Sequence, residues 1–120
     1  MINISFADLT HTGQIVAANT FPLGISYVAA TAKKHFNQDV NIEIFKYPED
    51  FNNYLSKNLP DVACFSSNCW NIRLAHAYAK ELKRLNDKIL IVFGGPNFPS
   101  DSKEQENFLQ NKGIKLILNL

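Results

Sequence analysis

Pro60-Asp61-Val62-Ala63-Cys64-Phe65-Ser66-Ser67-Asn68-Cys69-Trp70-Asn71-Ile72 is the stretch whose reading decides the fold. Val62 to Phe65 is a short apolar run without polar alternation, as expected of a strand buried on both faces, and it stops abruptly at Ser66, Ser67 and Asn68. About one helix later, Ile89-Leu90-Ile91-Val92-Phe93 repeats the pattern and stops at Gly94-Gly95-Pro96. Two such runs joined through a helix-length segment predict parallel strands. In an open parallel sheet, ligands sit outside the carboxyl ends of the strands. Ser66, Ser67, Asn68, Trp70, Asn71, Gly94, Gly95 and Pro96 are therefore expected on one rim.

Outward from that stretch, Ile2 to Ala7 reads as a first strand ending in the polar loop Asp8-Leu9-Thr10-His11-Thr12-Gly13. Phe21 to His35 reads as a helix with Pro22 at its first position and alanines that allow close packing on a sheet. Asp39 to Lys46 sets Val40, Ile42 and Ile44 against Asn41, Glu43 and Phe45, the alternation of an edge strand. A helix opening at Pro48 carries Phe51, Tyr54, Leu55 and Leu59 at helical spacing until Pro60 stops it. Further helices are predicted from about Asn71 to Leu85 and from the capping-box spacing Ser102-Lys103-Glu104-Gln105 to Gly113. Ile114 to Leu118 reads as a fifth strand. The prediction is one α/β domain over residues 1–120: a Rossmann-like, flavodoxin-like, doubly wound parallel sheet of five strands in the order 2-1-3-4-5, with helices on both faces. No closing helix follows the fifth strand, which suggests an N-terminal domain excised from a longer protein.

With 46% hydrophobic residues in 120, the chain can bury a core without disulfides or metals. Twelve basic against eleven acidic side chains leave a formal charge of +1, and no basic cluster exceeds Lys33-Lys34. Such a chain offers no electrostatic footprint for nucleic acid or an anionic membrane. No secretory leader pattern and no membrane-length apolar run occurs, so a soluble, cytoplasmic protein is expected. Cys64 reads as a reduced core residue and Cys69 as a free thiol beside the rim; their spacing fits neither a redox pair nor a zinc site. The glycine patterns of dinucleotide and triphosphate sites are missing, as is the Gly-x-Ser-x-Gly elbow of a hydrolase, and the third strand ends in Ser66 rather than a phosphate-accepting Asp. No residue is assigned a catalytic role.

Several rim residues carry two readings. Gly94-Gly95 either admits a ligand to the backbone or makes a turn before Pro96. Ser66 and Ser67 either donate hydroxyls to a ligand or include the cap of the next helix. Trp70 is either a stacking wall or a core anchor, and Asp8 a ligand contact or a loop cap. Of the histidines only His11 falls on the rim; His35 and His76 are expected on helix surfaces.

Taken in order, Phe21 to Ala30, Pro60 to Ile72 and Ile91-Val92-Phe93-Gly94-Gly95-Pro96-Asn97 resemble the N-terminal cobalamin-binding domain of cobalamin-dependent radical S-adenosylmethionine enzymes. The resemblance implies a Rossmann-like domain whose strand exits hold the corrin and its nucleotide tail. The tail contacts would be Ser66, Ser67, Gly94 and Gly95, and the family's aromatic-Asn pair would be Trp70 and Asn71. It also implies a downstream barrel domain that brings S-adenosylmethionine and a [4Fe-4S] cluster on a Cys-x-x-x-Cys-x-x-Cys motif, with methyl transfer as the chemistry. Relatives outside the radical branch carry Asp-x-His-x-x-Gly, whose His ligates cobalt. Here Asp8 and Gly13 keep that separation, but Thr10 stands at the ligand position and His11 falls one residue late. Asp8, Thr10, His11, Thr12 and Gly13 thus join the candidate cofactor contacts, with no histidine ligation expected and His11 the single alternative ligand. The rival expectation is a flavodoxin-like regulatory or interaction module that binds no cofactor and packs on a partner domain.

Overall fold

The computed structural model describes residues 1–10, 21–96 and 99–110. Four parallel strands, β1 (Ile2–Ala7), β2 (Val40–Phe45), β3 (Val62–Ser66) and β4 (Leu90–Gly94), form one sheet in the order β2-β1-β3-β4. Between them run α1 (Leu23–Phe36), α2 (Pro48–Leu55) and α3 (Ile72–Leu85), with α4 (Ser102–Gln110) after β4. The parallel α/β class and the order of these strands are as expected. The fifth strand predicted over Ile114–Leu118 lies outside the described residues.

Strand periodicity sorts the side chains to two faces. Ala7, Phe45, Ala63, Phe65, Ile91 and Phe93 form the larger core with Phe51 of α2 and Ala75, Ala79 and Leu82 of α3, and Phe108 of α4 packs against it. Phe51 is fully buried, its ring against Phe45, Phe65 and Tyr78. The opposite face carries Phe6 with Ile4, Ile42 and Cys64, under Ile25 and Ala29 of α1. Helices therefore cover both faces.

The element ends follow local chemistry. Pro22 lies just outside α1, where its missing N–H costs nothing, and its carbonyl accepts the N–H and hydroxyl of Ser26. Pro48 opens α2 with Glu49 and Asp50 in the first turn, at the positive end of the helix dipole. That helix stops at Leu55, four residues short of the expected Leu59. The Ser56 hydroxyl donates to the Asn53 carbonyl, and the Lys57 and Asn58 N–H groups both turn back to Tyr54, which closes the last turn. The cap of α4 is Asp101 rather than Ser102: its carboxylate accepts the N–H groups of Lys103 and Glu104 at 3.0 and 3.1 Å.

At the edge, β2 departs from the simple alternation. Ile44 is exposed and Phe45 buried, because α2 covers the carboxyl end of the strand on the face where Phe45 meets Phe51 and Tyr54. His76 is also corrected: it is buried, edge-on to Phe93 at 4.9 Å and to Phe108 at 4.8 Å, because α4 packs over that part of α3. His35 is exposed as expected.

Candidate functional site

The connections from β1 and β3 leave in opposite directions across the sheet, so the strand order reverses between them. A crevice at that switch point, at the carboxyl ends of the strands, is where open α/β sheets take ligands. Asp8 and Leu9 follow β1, Ser66 ends β3, and Gly94 ends β4.

The register pairs Ser66 with Gly94, and the Ser67 N–H donates to the Gly94 carbonyl at 2.6 Å. The two glycines thereby acquire different jobs. Gly94 is a strand residue, and a Cβ built there meets no described atom within 4 Å. Glycine inside a strand with open space before it leaves room for another group to reach the backbone. Gly95 is the turn residue, with φ +120, and a Cβ there would lie 2.8 Å from the Ser67 carbonyl oxygen and 3.0 Å from its nitrogen. Its missing side chain admits the Ser67 backbone.

Ser67 is 0% exposed, yet its hydroxyl has no hydrogen-bond partner among the described residues. A buried hydroxyl without a partner is costly, and Ser5 inside β1 carries the same cost. Neither Ser66 nor Ser67 caps α3. The N-cap residue is Asn71, which makes no side-chain cap bond, and the Ser66 hydroxyl accepts the Asn68 amide at 3.0 Å.

Asp8 sits behind these residues. Its Oδ1 accepts the side-chain amides of Asn71 at 3.2 Å and Asn68 at 3.4 Å. Burial pushes the Asp8 carboxyl above the ordinary carboxylate range; the Ser66 hydroxyl, the Asn71 amide and the charge of Lys46 pull the other way. Asn71 is 1% exposed, donates also to the Leu9 carbonyl at 3.1 Å, and accepts the Asn68 N–H at 2.9 Å. Thr10 is buried, its N–H on the Lys46 carbonyl at 2.9 Å.

Trp70 stands 56% exposed, so it is no core anchor. Cys69 and Pro96 are exposed. Cys64 lies against the smaller core, where burial pushes its thiol up to about 12. Asp8, Ser66, Ser67, Asn68, Asn71 and Gly94 are thus gathered at the carboxyl ends of β1, β3 and β4, while His11, Thr12 and Gly13 lie outside the described residues. No group of three His, Cys, Asp or Glu side chains among the described residues is placed to hold a metal. No described helix is long and apolar enough to cross a membrane.

Compared with known protein families, residues 13–114 match the B12 binding domain. The chain belongs to that family. The match takes in the crevice residues of β3 and β4 and begins at Gly13, beyond β1 and Asp8. No curated protein matches the chain. In this B12-binding domain the strand ends offer a bulky group the open position at Gly94, paired with the half-buried Ser66.

Sequence reasoning did not find the Leu9 carbonyl, nor the mutual tie of Asp8, Asn68 and Asn71. An Asn immediately before a helix reads as a local cap, and nothing in the spacing signals a partner in the first strand's exit loop.

Proposed function

We propose that this domain is the cobalamin-binding module at the N-terminus of a cobalamin-dependent radical S-adenosylmethionine enzyme. The observation that carries the ligand half of the reading is the pairing of Ser66 with Gly94, where the missing side chain leaves the strand end open. The nucleotide tail would be held there. Gly94 contributes the absence of a Cβ and the half-buried Ser66 a polar contact, while Ser67, fully buried, holds the loop on β4 through its N–H. Trp70, exposed in the same β3–α3 connection, would supply an aromatic face for the bulky cofactor.

When bound, cobalamin supplies a cobalt centre able to carry a methyl group. The domain's own work is to bind and orient. Asp8 is already engaged by two amides, and Thr10 is buried at the position where relatives place a histidine. Both facts support a reading without histidine ligation. The S-adenosylmethionine and [4Fe-4S] cluster belong to a barrel domain downstream, and the residues after the domain in the parent chain should hold its three-cysteine motif.

The test is to mix the purified chain with hydroxocobalamin, desalt it and record the visible spectrum. Corrin absorbance is expected to stay with the protein and to be lost in Gly94→Phe. A Cβ at Gly94 meets no described atom, and circular dichroism checks that the variant folds. A folded wild type that passes through desalting colourless would sink the ligand reading.

A second reading, a module that packs on a partner domain without cofactor, is favoured by α1. Its outward face exposes Tyr27, Val28 and Phe36, which with Thr31, Ala32 and His35 line an apolar groove of about 420 Å³. A helix apolar on both sides is a helix meant to be covered. Loss of the groove's exposure to labelling in the full-length parent, with no corrin bound at any stage, is the result this reading expects.

A further inference from the structure

We infer that Asn71 is a positioning residue for the nucleotide tail: it fixes the β3–α3 loop against the end of β1 and so sets where Ser66 and Ser67 stand. The inference rests on the cobalamin reading above.

A side-chain amide has two N–H donors and one carbonyl acceptor, and at Asn71 all three functions are used inside the protein. The amide nitrogen donates to Asp8 Oδ1 at 3.2 Å and to the Leu9 carbonyl at 3.1 Å, while Oδ1 accepts the Asn68 N–H at 2.9 Å. With 1% of its surface exposed, Asn71 cannot reach a ligand without abandoning these bonds. It also forgoes the bond that an Asn at the start of a helix ordinarily makes, since no side-chain cap forms on α3. The local partner has been exchanged for one 63 residues away in the chain.

What that exchange achieves follows from the neighbours. Asn68, held through its N–H by Asn71, donates its own amide to Ser66 Oγ at 3.0 Å and to Asp8 Oδ1 at 3.4 Å. On the other side, the Ser67 N–H is tied to the Gly94 carbonyl at 2.6 Å. The two serines are therefore suspended between β4 and β1, and Asn71 is the anchor on the β1 side. Releasing it lets the loop shift relative to Gly94, which alters the slot while leaving the surface available to the corrin unchanged.

Asn71→Ser separates this role from simple stability, because Ser remains a good helix N-cap but removes both amide donors to β1. The dissociation constants to compare are those for cobalamin and for cobinamide, the corrin without its nucleotide tail, with folding checked by circular dichroism. In the wild type, cobalamin is expected to bind more tightly than cobinamide. In Asn71→Ser the cobalamin constant should rise about tenfold or more, the scale of a lost hydrogen bond to a charged group, with the cobinamide constant unchanged. Equal weakening for both corrinoids, or unchanged cobalamin binding in the folded variant, overturns the inference. Should Asn71→Ser fail to fold, Asn68→Ala, three residues earlier, removes the loop's other side-chain ties, to Ser66 Oγ and Asp8 Oδ1, and must give the same split between the two corrinoids. A wild type that binds both corrinoids equally refutes the positioning role while corrin binding stands. One that binds neither refutes the cobalamin reading itself and this inference with it.

Discussion

Replacing Gly95 with alanine should damage the fold in a way that the same change at Gly94 does not. At Gly95 the backbone φ is +120, a region that residues with a Cβ rarely adopt, at a cost of about 1–3 kcal/mol. The new Cβ would also sit 2.8 Å from the Ser67 carbonyl oxygen and 3.0 Å from the Ser67 nitrogen. Those atoms cannot swing aside as a side-chain tip can, since the Ser67 N–H is committed to the Gly94 carbonyl at 2.6 Å. Relieving the overlap means moving backbone, which costs a further ~1–3 kcal/mol. The sum, on the order of 2–6 kcal/mol, is a large share of the 5–15 kcal/mol typical of a domain and corresponds to roughly 10 °C or more in Tm.

Gly94 has neither problem. Its φ is not in the positive region and no described atom lies within 4 Å of a Cβ built there, so alanine should be neutral, or stabilising by about 0.4–1 kcal/mol through the less free unfolded chain. Urea unfolding of both variants followed by far-ultraviolet circular dichroism measures the difference. A Gly95→Ala variant within about 0.5 kcal/mol of wild type, the ordinary range of a surface change, would refute the close approach of the two loops. A Gly94→Ala variant as damaged as Gly95→Ala would refute the open slot.

Three further outcomes follow from the same geometry. Burial raises the Asp8 carboxyl, so the folded state holds that proton more tightly than the unfolded chain does. The stabilisation is present at low pH and is lost as pH rises from the ordinary carboxylate value through the raised one. Stability measured against Asp8→Asn should accordingly fall across that window and level off above it; a difference independent of pH contradicts the assignment. With the Cys64 thiol near 12, only about one part in 10⁴ is thiolate at pH 8, so iodoacetamide should label the exposed Cys69 alone in the native chain; two labels by mass spectrometry would contradict the burial. Phe51→Ala, which empties a fully buried site ringed by Phe45, Phe65 and Tyr78, should cost about 3–5 kcal/mol in urea melts, and a loss below about 1 kcal/mol would count against that core.

How far the sequence can be read depends on how local each cause is. The Ile2–Ala7 strand has the expected bounds, and the helices start at or near their predicted positions, because period, proline and acidic first turns act within a few residues. The rim was legible for the same reason: apolar runs end at Ser66 and Gly94, and strand ends are where ligands go. Long-range causes were not. Phe45 is buried and Ile44 exposed because a particular helix covers the edge, and His76 is buried because α4 crosses over it. Asn71 looks like a cap until its partner at Asp8 is known.

The glycine pair shows where the boundary falls within a single motif. Two adjacent glycines are equivalent in the sequence, and only the register that sets Ser66 beside Gly94 divides them into an open strand end and a strained turn. Gly95 is needed by the fold whether or not a ligand is present, since the Ser67 backbone fills its missing side chain. Gly94 is needed by no contact among the described residues, since a Cβ there meets nothing within 4 Å. Alanine at position 95 probes the sheet and a larger side chain at position 94 probes the proposed slot, which is why fold and ligand are separable claims here and call for separate tests.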